Sequence, residues 1–359
     1  MPAISAADAI SPAIQRTRGF LFRPFRLGTY LKLCLVAVLT EGSTGGGGNF
    51  NFNAGRWPHR QPSHVYTPFS HYPIFHGSLF HGPWLAMLVA LALVGIVVGL
   101  IIAWLITRLR FAYFHCLITN SPWVSPGWHL YRDPATRFFW MTLAVGLCFL
   151  VFMVALILPF AAGIFGLARN AAGGHLDFGA LFAFVLPLIP ILMLIAIAAI
   201  ALNIVLTDFM LPHYALENAS AGEAWSAAWA RIRVQKGQFF FYALLRVILP
   251  IVASIAVFII LIIPAVIGVL ITVGMEVGIH AALGNSFAGI TLEVLVGAVA
   301  VGVAILVGVA LTGPINTAIR EYALMFYGSR YERLGAILWP APPASPPAPP
   351  SPLPAPGMG

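Results

Sequence analysis

Charge is what this sequence has least of. Only 8% of its 359 residues are charged and 60% are hydrophobic, which leaves too little polar surface to coat a soluble core of this size. An ordinary soluble domain is therefore excluded, and an all-α polytopic membrane protein is expected. Carboxylates are scarcer still: the 11 Asp and Glu are scattered over loop ends. They form no Ser/His/Asp spacing, no His-Glu zinc helix and no Cys/His pair, so neither an enzyme nor a cofactor is expected. The three cysteines are too few for a disulfide framework; Cys34 and Cys148 fall in apolar runs and Cys116 in a basic linker, without metal spacing. The net charge of +8 would suggest a nucleic-acid partner in a soluble domain. Here the basic residues sit in short segments between apolar runs, where they report topology instead.

What the chain does have is long apolar runs. Five are long enough to cross a hydrocarbon core that needs about 20 helical residues: 84–107, 138–167, 176–207, 239–273 and 288–312. A sixth, 27–40, is short and contains Lys32. Charge placement decides how to read it. The segment before it, residues 1–26, is basic and amphipathic and carries Arg16, Arg18, Arg23 and Arg26; residues 41–83 carry only Arg56 and Arg60; the next linker again holds four arginines. This high-low alternation continues to the C-terminus. It predicts six spans, about 27–40 being the first, with both termini in the cytoplasm of a prokaryotic inner membrane.

The external loop 41–83 opens with "TEGSTGGGGNFNFNAG". It lacks the Gly-Lys-Ser/Thr of a phosphate loop and the spaced glycines of a dinucleotide turn, so no nucleotide is expected. His59, His64, His71, His76 and His81 follow, at spacings of five or more with prolines between them and no carboxylate from Gly42 to Trp84. That pattern favours an aromatic loop on the outer membrane face over a metal site. Residues 340–359, "PAPPASPPAPPSPLPAPGMG", are half proline and should form an extended, disordered tail.

The cytoplasmic linkers hold the candidate sites. Ser220 with Glu223 three residues on is a capping-box signature, and Gly237 is the expected stop of the helix between them. On that helix Trp225, Trp229 and Ile232 share a face, flanked by Arg231 and Arg233. The face can lie on the lipid interface or pack against span ends. An earlier linker with Trp123, Trp128, Arg132 and Arg137 uses similar materials. Both are followed by spans with Pro and Gly four apart, Pro159 with Gly163 and Pro264 with Gly268. This suggests a duplicated linker and two-span hairpin, residues 120–207 and 215–312, an arrangement found in transporters. Arg246 lies about seven residues into its span. It either snorkels to the interface, contacts an anionic lipid or ligand, or pairs with a carboxylate, Asp208 first and Glu217 second.

The stretches "RGFLFRPFRLGTYLKLCLVAVLTEGSTGGGGNFN", "GWHLYRDPATRFFW", "DFMLPHYALENASAGEAWSAAW" and "REYALMFYGSRYERL" together resemble an uncharacterised family of bacterial and archaeal multi-pass membrane proteins. The order Pro212, Glu217 and an Ala/Trp-rich amphipathic helix is more loosely similar to the membrane domain of glycerophosphodiester phosphodiesterases. The resemblance supplies architecture and no catalytic residues. The expected function is therefore a non-enzymatic envelope protein whose partners are membrane lipids or other membrane proteins. A transporter is the alternative.

Overall fold

The computed structural model describes residues 3–42, 83–172, 178–284 and 286–340. Most of the glycine- and histidine-containing loop and the proline-rich tail, on which two of the expectations fall, lie outside the described residues. Among the described residues every regular element is helical: α1 (Ile10–Phe22), α2 (Leu27–Gly42), α3 (Pro83–Thr119), α4 (Val124–Leu130), α5 (Arg132–Ala172) and α6 (Phe178–Ile204) come first. A π-helical segment (Val205–Met210) then leads into α7 (Leu211–Glu217), α8 (Ala221–Val234), α9 (Lys236–Leu283), α10 (Phe287–Gly328) and α11 (Glu332–Leu338).

Five helices, α3, α5, α6, α9 and α10, are long and apolar enough to cross a membrane. They overrun the apolar runs read from the sequence. With 37, 41, 48 and 42 residues, α3, α5, α9 and α10 would be about 55 to 70 Å long, against a hydrocarbon core of about 30 Å. The extra turns have a use. At one end of the array, the ends of α3, α5, α6, α9 and α10 come together with α1, α2, α7, α8 and α11 into a packed end with an aromatic core. Tyr242 stacks on Phe326 at 4.3 Å, Phe209 meets Phe239 edge-on at 5.1 Å, and Phe138 meets Tyr214 edge-on at 5.2 Å. Each aromatic buried this way contributes about 1.5–3 kcal/mol. The middle stretches of the five helices instead leave Leu, Ile, Val and Phe exposed, as lipid-facing segments require.

The first run packs against another helix. α2 has 16 residues, about 24 Å, and it runs alongside the second half of α10 in the same direction. The Tyr30 hydroxyl donates to the Ala310 carbonyl (2.7 Å), Cys34 lies against Gly313, and Glu41 reaches Arg320. α1 runs the opposite way along α10, from Ile4 beside Ser329 to Arg16 beside Glu321. The two form a hairpin at the packed end. At 16 residues α2 is shorter than the about 20 that a hydrocarbon core needs, and hydropathy and flanking arginines do not foretell its place beside the end of another helix.

One geometric consequence concerns α3. Arg110 donates to the Thr40 carbonyl (2.9 Å), but α3 begins 27 residues earlier (110 − 83), about 40 Å away. Gly42 and Pro83 thus lie at opposite ends of the helix array.

The capping box at α8 is present in full: Ser220 Oγ accepts from the Glu223 N–H (3.4 Å), and the Glu223 carboxylate accepts from the Ser220 N–H (2.8 Å). α8 ends at Val234, earlier than the expected stop, and Gly237 lies inside α9. Ser220→Ala should speed hydrogen exchange of the first-turn amides of α8 about fivefold, matching the roughly 1 kcal/mol typical of a lost cap. The hydrogen bonds from Ser220, the backbone one foremost, hold the Glu223 carboxyl below its ordinary range. Its contribution is complete above the ordinary glutamate pKa and is lost as pH falls through the lower folded value.

Candidate functional site

Among the described residues, most of the buried charged groups meet at the packed end, and the π-helical segment is what arranges the innermost of them. In an α-helix each carbonyl accepts from the N–H four residues on; a π turn admits an extra residue and re-aims its side chains. Here the widened turn holds Asp208, which is buried, between α9 and α10. Its Oδ2 accepts from Arg246 Nε (2.9 Å) and from the Tyr242 hydroxyl (2.8 Å), while Oδ1 accepts from Arg320 Nη1 (3.0 Å). The same Arg320 nitrogen donates to the Thr207 carbonyl in that turn (3.0 Å).

Glu41 closes the ring from α2. Its Oε2 accepts from Arg246 Nη2 (2.9 Å), and its Oε1 lies 3.8 Å from Arg320 Nε. Two carboxylates thus face two guanidinium groups, with Arg110 beside them on α3 bonded to the Thr40 carbonyl. One network ties α2, α3, the π segment, α9 and α10 together. Removing charges of this kind from water costs several kcal/mol per ion, which is offset only when pairing and hydrogen bonding are good. Asp208 meets that condition with Arg246, Arg320 and Tyr242 as donors and a longer contact from the Thr207 hydroxyl (3.3 Å).

Two smaller groups flank it. On one side Arg16 Nε sits 3.3 Å from the buried carboxylate of Glu321, and Arg16 Nη2 donates to the Leu117 carbonyl (2.7 Å) at the end of α3. On the other, His213 is buried with Nδ1 3.1 Å from Glu217 and Nε2 2.8 Å from the Tyr327 hydroxyl. With Glu217 ionised, Nδ1 carries the proton and Nε2 accepts from Tyr327. Arg333 adds a rim contact to Glu217 at 3.4 Å with its own side chain 64% exposed, a pair worth little.

The residues singled out from the sequence are therefore distributed over three places. Arg246 and Asp208 are brought together in the central network. Glu217 is not with them; it belongs to the His213 group. Trp225 and Trp229 stack in parallel at 6.1 Å, both about two-fifths exposed, with Arg233 over the Trp229 ring at 5.6 Å. The packing of α8 is done by Ala224 and Ala228 on its other side. Arg231 departs from the expected flank. It turns inward to the Arg330 and Ala227 carbonyls and lies over Tyr331, because the packed end offers it two acceptors and a ring face.

Sequence reasoning missed Glu41, Arg320, Tyr242 and His213. A signal existed for Glu41: it is the lone carboxylate between Asp8 and Asp133. For Arg320 it was the adjacent pair Arg320–Glu321, placed shortly after Pro314 at the end of an apolar run. Among the described residues no group of His, Cys, Asp and Glu could hold a metal ion.

Five long apolar helices capped by a charged, aromatic end define a multi-pass membrane protein. The chain matches the family of unknown function DUF7544 over residues 4–337, and it belongs to that family. No curated protein and no solved structure matches it.

Proposed function

We propose that this is a non-enzymatic integral membrane protein of a prokaryotic cell membrane, whose long helices present lipid- or subunit-binding flanks held in place by the packed end. The observation that carries this reading is the division of the molecule. The buried hydrogen-bonded charge network sits at one end, and the apolar middles of α3, α5, α6, α9 and α10 stay open to whatever surrounds them. The stacked Trp225 and Trp229 with Arg233 add an aromatic and cationic surface of the kind that settles at a membrane interface. The packed end, with both described chain ends, lies on the cytoplasmic side in this reading, following the arginine-rich linkers. The looser likeness of the Pro212–Trp229 region to the membrane domain of glycerophosphodiester phosphodiesterases agrees with a lipid-facing role.

Transport is a second reading. It is favoured by a polar contact between α9 and α10 far from the packed end, where His280 Nδ1 lies 3.2 Å from Glu293 and Glu276 faces Gly297. The recurrence of a short helix followed by two long ones, α4–α5–α6 and α8–α9–α10, matches the suggested duplication.

Native mass spectrometry of the full chain released from nanodiscs separates the two. The expected result is retained phospholipid or a fixed subunit stoichiometry, reduced severalfold in Trp225→Ala/Trp229→Ala. A lipid-free monomer that drives solute uptake in proteoliposomes, lost on Glu293→Gln, would replace the first reading with the second.

A further inference from the structure

The α1–α2 hairpin carries a feature that the network does not use. We infer that its turn is a lipid-binding wedge, seated in the headgroup layer next to the packed end, with anionic phospholipid phosphates held by Arg18, Arg23, Arg26 and Lys32. This rests on the reading that the five apolar helices cross a bilayer.

Position comes first. Arg16 on α1 pairs with Glu321, and six residues further on (22 − 16) the helix ends at Phe22, having moved about 9 Å toward the apolar belt. On the returning strand of the hairpin, Tyr30 is fixed to Ala310, which lies in the last turn of the apolar run 288–312. The turn between them therefore sits where the lipid-facing part of α10 begins. It points toward the membrane, and α2 then returns to the packed end.

Composition comes second. Residues 22–28 are all exposed, with Phe22 at 44%, Phe25 at 56% and Leu27 at 61%. Phe22, Phe25 and Tyr30 hold one another, with ring centroids 5.5 to 6.2 Å apart, so the apolar tip is a fixed cluster. Arg18, Arg23, Arg26 and Lys32 surround it, all exposed. No carboxylate occurs between Asp8 and Glu41, and Glu41 faces inward to Arg246. An apolar tip ringed by cations with no acidic neighbour is the chemistry that inserts between acyl chains and holds lipid phosphates. A soluble partner would have to cover a surface that already faces the membrane collar.

The full chain, purified in neutral detergent, tests this by thermal melting against added phosphatidylglycerol, phosphatidylcholine or inorganic phosphate. Phosphatidylglycerol alone should stabilise. In Arg23→Gln/Arg26→Gln/Lys32→Gln its half-saturating concentration should rise about fivefold per charge removed. An equal shift with phosphate alone, or an unchanged response in the triple variant, overturns the wedge. Depth gives a readout that keeps all four cations. In the Cys148→Ser background, a spin label at Phe25→Cys in vesicles should collide more with oxygen than with a water-soluble nickel complex. A label as water-accessible as one at Ser121→Cys overturns the proposal. Retention of the protein in membranes after an alkaline wash separates the two levels. If it is retained with an aqueous label, only the wedge fails; if it is washed out, the membrane-crossing reading fails with it.

Discussion

Replacing Asp208 by Leu should be among the most destabilising single changes in the chain, costing about 3–5 kcal/mol, the range for breaking a buried ion pair by removing one partner. Arg246 Nε and the Tyr242 hydroxyl lose their acceptor, and Arg320 Nη1 loses one of its two, keeping the Thr207 carbonyl. Arg246→Leu should cost less than Asp208→Leu, because Asp208 keeps Arg320 and Tyr242. The double variant Arg246→Leu/Asp208→Leu should lose clearly less than the sum of the two, since it removes both members of one pair and leaves Arg320 beside Glu41, with Arg110 still on the Thr40 carbonyl. Detergent melting of the three variants measures this. Strict additivity would show that the 2.9 Å contact between Arg246 and Asp208 carries no coupling energy.

The second large effect is expected at Gly313, and the reason is steric. A Cβ placed there would come within 2.3 Å of Cys34 Cβ and 2.6 Å of Cys34 Cα, so the backbone of α2 itself blocks it. Gly313→Ala should push α2 off α10, costing about 1–3 kcal/mol through overpacking. Cysteine labelling reads out the displacement directly. Cys34 and Cys116 are buried and Cys148 is exposed. In a Cys148→Ser background the protein should resist maleimide, and adding Gly313→Ala should make Cys34 reactive while Cys116 stays protected. Labelling that does not change would show that the two helices can separate by the needed distance without opening the hairpin.

The sequence made part of this legible. Arg246 and Asp208 stand out because charges near the ends of consecutive apolar runs are few, and a short helical linker brings those ends together. The length of an apolar run, in contrast, says nothing about what lies beside it. Residues 27–40 have the hydropathy of a short span and the flanking arginines of a cytoplasmic boundary, yet α2 lies along α10 because Gly313 permits close approach and Glu41 finds two arginines there. Neither partner is visible locally, since Arg320 lies 279 positions from Glu41 (320 − 41). The π turn is equally silent: "VLTDFM" has no composition that distinguishes it from the α-helix it interrupts. The inward turn of Arg231 was illegible for the same reason, as its acceptors come largely from the far end of the chain.

The contact between Ile4 and Ser329, 325 residues apart, has a bearing on how the protein is made. The hairpin leaves the ribosome well before α10, which receives it. For most of the synthesis of one copy, Arg16 and Glu41 have no Glu321 or Arg320 to meet. The nascent hairpin has to wait, and its basic aromatic turn gives it a membrane surface on which to do so. Closure of the packed end therefore waits on α10, and a copy that stops before it leaves Arg16 and Glu41 without Glu321 and Arg320.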